Sequence, residues 1–105
     1  MHPDLVRKAE NWARYMANGG CGRGGNGLPN ICHSVLSAGI TVQWTGLAEN
    51  VGMVSPSTNV MGMHNAFVNS PAHAANMLNG SMKYVGVGIA TVGNYMYAAE
   101  VFMAT

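Results

Sequence analysis

With 105 residues the chain can form one domain around one core, and it is too short for two of ordinary size. Hydrophobic residues make up 49% and charged residues only 9%, against roughly a quarter in soluble domains, so Asn, Ser, Thr, Gly and His must finish a weakly charged surface. The net charge is +1 and the five basic residues form no patch able to neutralise several phosphates, which excludes nucleic acid as a partner; no stretch reaches the roughly 20 continuous apolar residues of a membrane span.

The opening stretch "HPDLVRKAENWARYMANGG" reads as an amphipathic helix with Asp4 as its cap. Leu5, Ala9, Trp12, Ala13 and Met16 share one face, and Gly19-Gly20 stops it. His2 falls in a frayed end. The start has no apolar signal core, so the chain is either intracellular or a mature domain. Residues 19–30 form a Gly/Asn/Pro loop. Its "GRGGNG" is no phosphate cradle, because no strand precedes it and no Gly-Lys-Ser/Thr follows. Cys21 and Cys32 bracket this loop; their number and spacing leave open both a bridge, which implies an oxidising compartment, and two reduced thiols.

"CHSVLSAGI" reads as a short helix ending at Gly39, and "TVQWTGLAEN" as a strand that turns into loop, with Trp44 pointing inward. "SPSTNVMGMHNAFVN" offers Ser57 or Thr58 as a cap and a buried stripe of Val60, Met63 and Phe67. "SPAHAANML" then starts a further helix, with Ser70 as cap and Pro71 at the first helical position. His73 lies in its first turn, where exposed N–H groups disfavour the imidazolium, so this histidine is neutral and able to bind a proton or a metal. "KYVGVGIATV" and "NYMYAAEVFM", joined by Gly93-Asn94, form an antiparallel hairpin. Gly86 and Gly88 on one face of its first strand point to a closely packed neighbour. The order of elements gives an α+β fold with helices packed on a small sheet.

Chemistry has few candidates. Five of the nine charged residues precede position 15, and after Arg23 only Glu49, Lys83 and Glu100 remain, so each later carboxylate needs either a structural or a site role. His33, Glu49, His64 and His73 lack the close spacing of a local metal motif, so any shared site must be assembled by the fold. Cys32 and His33 are sequence neighbours, a poor geometry for nucleophile and base, and Ser70 lacks a GxSxG elbow.

Taken in order, "CHSVL", "WTGLAENVG", "HNAFVNSPAHAANMLN", "YVGVGIA" and "YAAEVFM" resemble the CAP superfamily (cysteine-rich secretory proteins, antigen 5, pathogenesis-related 1), in particular its small bacterial branch. The likeness runs from about Leu5 to Met103. It implies an α-β-α sandwich with a solvent-filled cleft, secretion with the leader removed, and a Cys21–Cys32 disulfide. It also implies a divalent metal site, often zinc, with His33 and His73 as imidazoles and Glu49 as first acid. The family's second acid falls near Ser70 and is missing; His64 is the substitute in the cleft. Ala48, Ala72 and Ala74 replace the family's two glycines and an arginine. The family's customary first segment is absent, which leaves the core open at one end or completed by another chain. The function implied is a non-catalytic binding module for a lipid, a cell-wall fragment or a partner protein, with a zinc-dependent hydrolase as the alternative.

Overall fold

The computed structural model describes residues 2–69 and 82–105. In chain order the elements are α1 (Pro3–Ala17), β1 (Gly46–Val54), α2 (Val60–Asn69), β2 (Tyr84–Val92) and β3 (Tyr95–Ala104). The strands form one antiparallel sheet in the order β1-β3-β2, with β3 paired along its length on both sides. The helix expected from Ser70, with His73 in its first turn, lies outside the described residues.

Helix α1 forms where it was expected, with a different cap. The His2 imidazole Nδ1 accepts the Asp4 N–H at 3.2 Å, Pro3 takes the position that needs no N–H, and His2 is therefore fixed rather than frayed. Asp4 is freed for a longer reach, accepting the Thr41 N–H at 2.9 Å and the Thr41 hydroxyl at 2.6 Å. At the other end Gly19 adopts φ +88°, and Gly20 and Gly19 donate to the carbonyls of Tyr15 and Met16, closing the helix with a Schellman motif.

The two glycines of β2 have the neighbour that their spacing predicts. A Cβ on Gly86 would lie 2.1 Å from the Leu5 carbonyl carbon, and one on Gly88 2.1 Å from the Glu10 nitrogen. The backbone of α1 thus rests directly on β2, and Leu5, Ala9 and Met16 reach Val51, Tyr97, Ala99, Val101 and Met103 in the main core. Strand alternation sends Met96 and Ala98 of β3 to the opposite face, where Met63 and Phe67 of α2 cover them. Helices therefore cover both faces of the sheet, the sandwich arrangement that the family resemblance implied. Within the α2 stripe Met63 and Phe67 are buried while Val60 is exposed, and Asn59, rather than Ser57 or Thr58, caps the helix by accepting the Gly62 N–H at 2.9 Å.

Two expectations fail between residues 32 and 50. No helix forms at 32–40; the chain is extended and then turns at 36–39, with Val35 and Leu36 exposed. Its carbonyls are met by side chains of α1 in place of helical N–H groups: Lys8 Nζ donates to Val35 O at 2.7 Å and to Ala38 O at 2.8 Å. Strand and loop are also reversed in 41–50. Trp44 lies before the strand and is 43% exposed, whereas "GLAENVGMV" is strand throughout. Its polar Glu49 and Asn50 hide the alternation, because both are buried, one on each face.

Candidate functional site

Glu49 pairs with Val101 across the ladder, a residue of the core that α1 covers, so its carboxylate points into that face of the sheet. The side chain is 0% exposed. A buried carboxylate requires donors, and the extended 31–34 segment brings them. Glu49 Oε1 accepts the Ser34 N–H at 2.8 Å and faces His33 Nδ1 at 3.0 Å, and Oε2 accepts the Ser34 hydroxyl. The segment is tethered from behind. A Cys21–Cys32 disulfide joins residues whose Cα atoms are 5.9 Å apart, and the Trp12 indole donates to Cys32 O at 2.7 Å.

This geometry sets the state of His33. An ionised carboxylate can only accept, so Nδ1 carries the proton and Nε2 is the ring's basic atom while the imidazole is neutral. The ring itself is 62% exposed, and Nε2 has no partner among the described residues. Lys8 adds a positive charge beneath. Burial lowers its pKa from the ordinary 10.5, and the attraction of Glu49 opposes part of that shift.

His33 and Ser34 open onto a groove of about 640 Å³ between α1 and the 33–41 segment. Trp12 and Tyr15, stacked at 4.7 Å, form much of its wall, with Val35 opposite and Asn11, Lys8 and Thr41 as polar groups. A mostly apolar hollow of this size with a few convergent polar atoms is what a small ligand fits.

A family model described as CAP, the cysteine-rich secretory protein family, matches residues 1–104. The chain belongs to the CAP family. Comparison with curated proteins and with solved structures finds no match. In this CAP domain His33 and Glu49 are in contact. His64 is elsewhere: it lies on α2, beside Glu100, on the other face of the sheet from Glu49. Ser70 and His73 lie outside the described residues, and among the described residues no three His, Cys, Asp or Glu side chains form a metal-sized group.

Sequence reasoning missed Ser34 and Lys8. Ser34 was visible only as part of the "CHSVL" motif. Lys8 had a signal of its own, since it sits within the Leu5–Ala9–Trp12 stripe, where a charged residue requires a partner in the core.

Proposed function

We propose that this CAP domain is a secreted, non-catalytic binding module whose cleft is keyed by the His33–Glu49 pair and takes a divalent metal, with zinc the natural fit. The observation that carries this reading is the state of His33: Nδ1 is held by a buried carboxylate and Nε2 belongs to an exposed ring at the end of a groove. A carboxylate that orients a histidine through its far nitrogen is the usual support of a metal-ligating imidazole. His33 would ligate through Nε2, His73 would supply the second imidazole, and Glu49 would hold His33 from behind. Zinc in that position would offer a Lewis-acidic anchor to a ligand oxygen or carboxylate. The Cys21–Cys32 disulfide supports an oxidising compartment and so supports secretion.

The hydrolase alternative has less support. A general base must be able to take a proton from a substrate water, yet each Glu49 oxygen already accepts from Ser34, and the side chain has no exposed surface. The lining of the groove favours a ligand with an apolar body and a polar end, a description that covers a lipid or a side chain of a partner protein better than a bare glycan.

Isothermal titration with zinc chloride tests the reading. Wild type should bind one zinc per chain, His33→Ala and His73→Ala should each abolish the heat, and Glu49→Gln should weaken binding by about 10- to 100-fold. His64→Ala serves as the control and should change nothing. Zinc affinity unaltered in folded His33→Ala would overturn the proposal, and zinc-dependent turnover of an ester or peptide lost in that variant would favour the hydrolase.

A further inference from the structure

Because β3 is paired on both sides, β1 and β2 are the edges of the sheet among the described residues. In β2 the two-residue turn at Gly93-Asn94, with Gly93 at φ +56°, makes Val92 and Tyr95 the first hydrogen-bonded pair. Even-numbered residues of β2 then turn their backbone groups to β3, and odd-numbered residues turn theirs outward. The outward bond that is present agrees: Val85 O accepts the His2 N–H at 3.3 Å. Beyond it, the backbone N–H and C=O groups of Val87, Ile89 and Thr91 have no partner among the described residues.

Soluble proteins blunt such an edge with Lys, Pro, a bulge or a covering segment. "YVGVGIATV" contains no charge and no Pro, its register with β3 runs from Tyr84 to Val92 without a bulge, and Ile89 is 47% exposed. We propose that this edge pairs with the same edge of a second copy of the chain, antiparallel about a twofold axis through Ile89, which joins two sheets into one of six strands.

Two independent features select that register. First, the outward residues Val87, Ile89 and Thr91 are symmetric about Ile89, so Ile89 meets the partner's Ile89 and Val87 meets the partner's Thr91, with every outward backbone group bonded. Second, the charges alongside match. A hollow beside the edge is lined by Glu10 and Arg14 of α1 together with Val87, Ile89, Ala90 and Thr91. Helix α1 runs in the same direction as β2, since its 5–6 peptide lies over Gly86 and its 9–10 peptide over Gly88. With about 1.5 Å of rise per helical residue and about 3.3 Å per strand residue, the midpoint between Glu10 and Arg14 is level with Ile89. The twofold that pairs Ile89 with itself therefore sets Glu10 against the partner's Arg14 and Arg14 against the partner's Glu10. An uncharged strand flanked by one charge of each sign is complementary to its own copy, and a net charge of +1 gives little repulsion between copies. Lys8 and Trp12, which face the cleft, lie on the other flank of α1, so both clefts stay open in the dimer.

Sedimentation velocity on the full chain, from micromolar to about 1 mM, measures the association. Wild type should sediment as a monomer–dimer equilibrium. Ile89→Lys places two ammonium groups side by side at the axis and should weaken the dimer about tenfold, with an unchanged far-UV circular dichroism spectrum. Glu10→Arg should weaken it about threefold, and the double exchange Glu10→Arg/Arg14→Glu should restore it. The exposed helix variants give the answer by themselves if Ile89→Lys does not fold. A chain that stays monomeric throughout, or a dimer indifferent to both Ile89→Lys and Glu10→Arg, would overturn the proposal.

Discussion

Glu49 and Glu100 stand one rung apart on the same pair of strands, since Glu49 pairs with Val101 and Asn50 with Glu100. That single step sends them to opposite faces and into opposite circumstances. Glu49 is sealed under the 31–34 segment with Ser34, His33 and Lys8 around it. Glu100 is only half-buried, accepts the Asn50 side-chain amide at 3.1 Å and lines a small hollow with His64. The faces differ in packing as well. On the Glu49 face a helix backbone lies against strand glycines, whereas on the Glu100 face the side chains of Met63 and Phe67 lie over Gly52. The first face is built from groups that cannot yield, the second from groups that can. A fixed donor set for a buried acid belongs on the first.

The largest effect should come from adding one methyl group to each face. Gly88→Ala drives a Cβ to within 2.1 Å of the α1 backbone, so helix and sheet must separate, and a loss of more than about 3 kcal/mol, enough to unfold a domain this small, is expected. Gly52→Ala meets the Met63 sulfur at 2.9 Å and the Phe67 ring at 3.0 Å, which can move, and should cost about 1 to 2 kcal/mol. Urea denaturation of both variants makes the comparison, and equal losses would abolish the distinction between the faces. A smaller contrast is expected between the two acids. Glu49→Ala leaves the Ser34 N–H and hydroxyl without their acceptor and removes the charge facing Lys8, and should cost on the order of 3 kcal/mol, while Glu100→Ala, at a partly solvated position, should cost about 1 kcal/mol.

Much of this architecture was legible in the sequence, for identifiable reasons. Helix α1 and the hairpin carry clean periodicities of 3.6 and 2, and Gly86 and Gly88 announced a closely packed neighbour, which is α1. The failures share one cause, in that tertiary partners replaced local ones. Residues 32–40 have helix-forming composition, but Lys8 and Trp12 satisfy their carbonyls. In β1 the alternation was masked because Glu49 and Asn50, polar neighbours, are both buried, and donors from residues 33 and 34 make that tolerable for Glu49. Of the candidate site, the family resemblance and not the spacing suggested one cleft for His33 and Glu49, and their direct contact needed the fold. The other face position of His64 could not be read until β1 was known to be a strand and its parity fixed.

The smallest expected effect concerns the link that positions the 33–41 segment from its far end. The Thr41 hydroxyl and then the Thr41 N–H hold the Asp4 carboxyl below its ordinary value of 3.8, against the opposing effect of burial and with smaller help from Arg7 and His2. A folded-state pKa below the unfolded one means that the stabilisation is fully present above pH 3.8 and is lost as pH falls through the lowered folded value. Thr41→Val keeps the volume and the N–H donor while removing the hydroxyl, so it should return the Asp4 pKa partway toward its ordinary value. The variant should melt at a slightly lower temperature than wild type at pH 7, and the gap should be narrower at about pH 3, below the ordinary value of 3.8, where part of the stabilisation through Asp4 is lost. Melting curves at the two pH values decide the matter. A gap of equal size at both would assign the loss to packing around Thr41, and the contact from Asp4 would then be a consequence of where the segment lies instead of a cause.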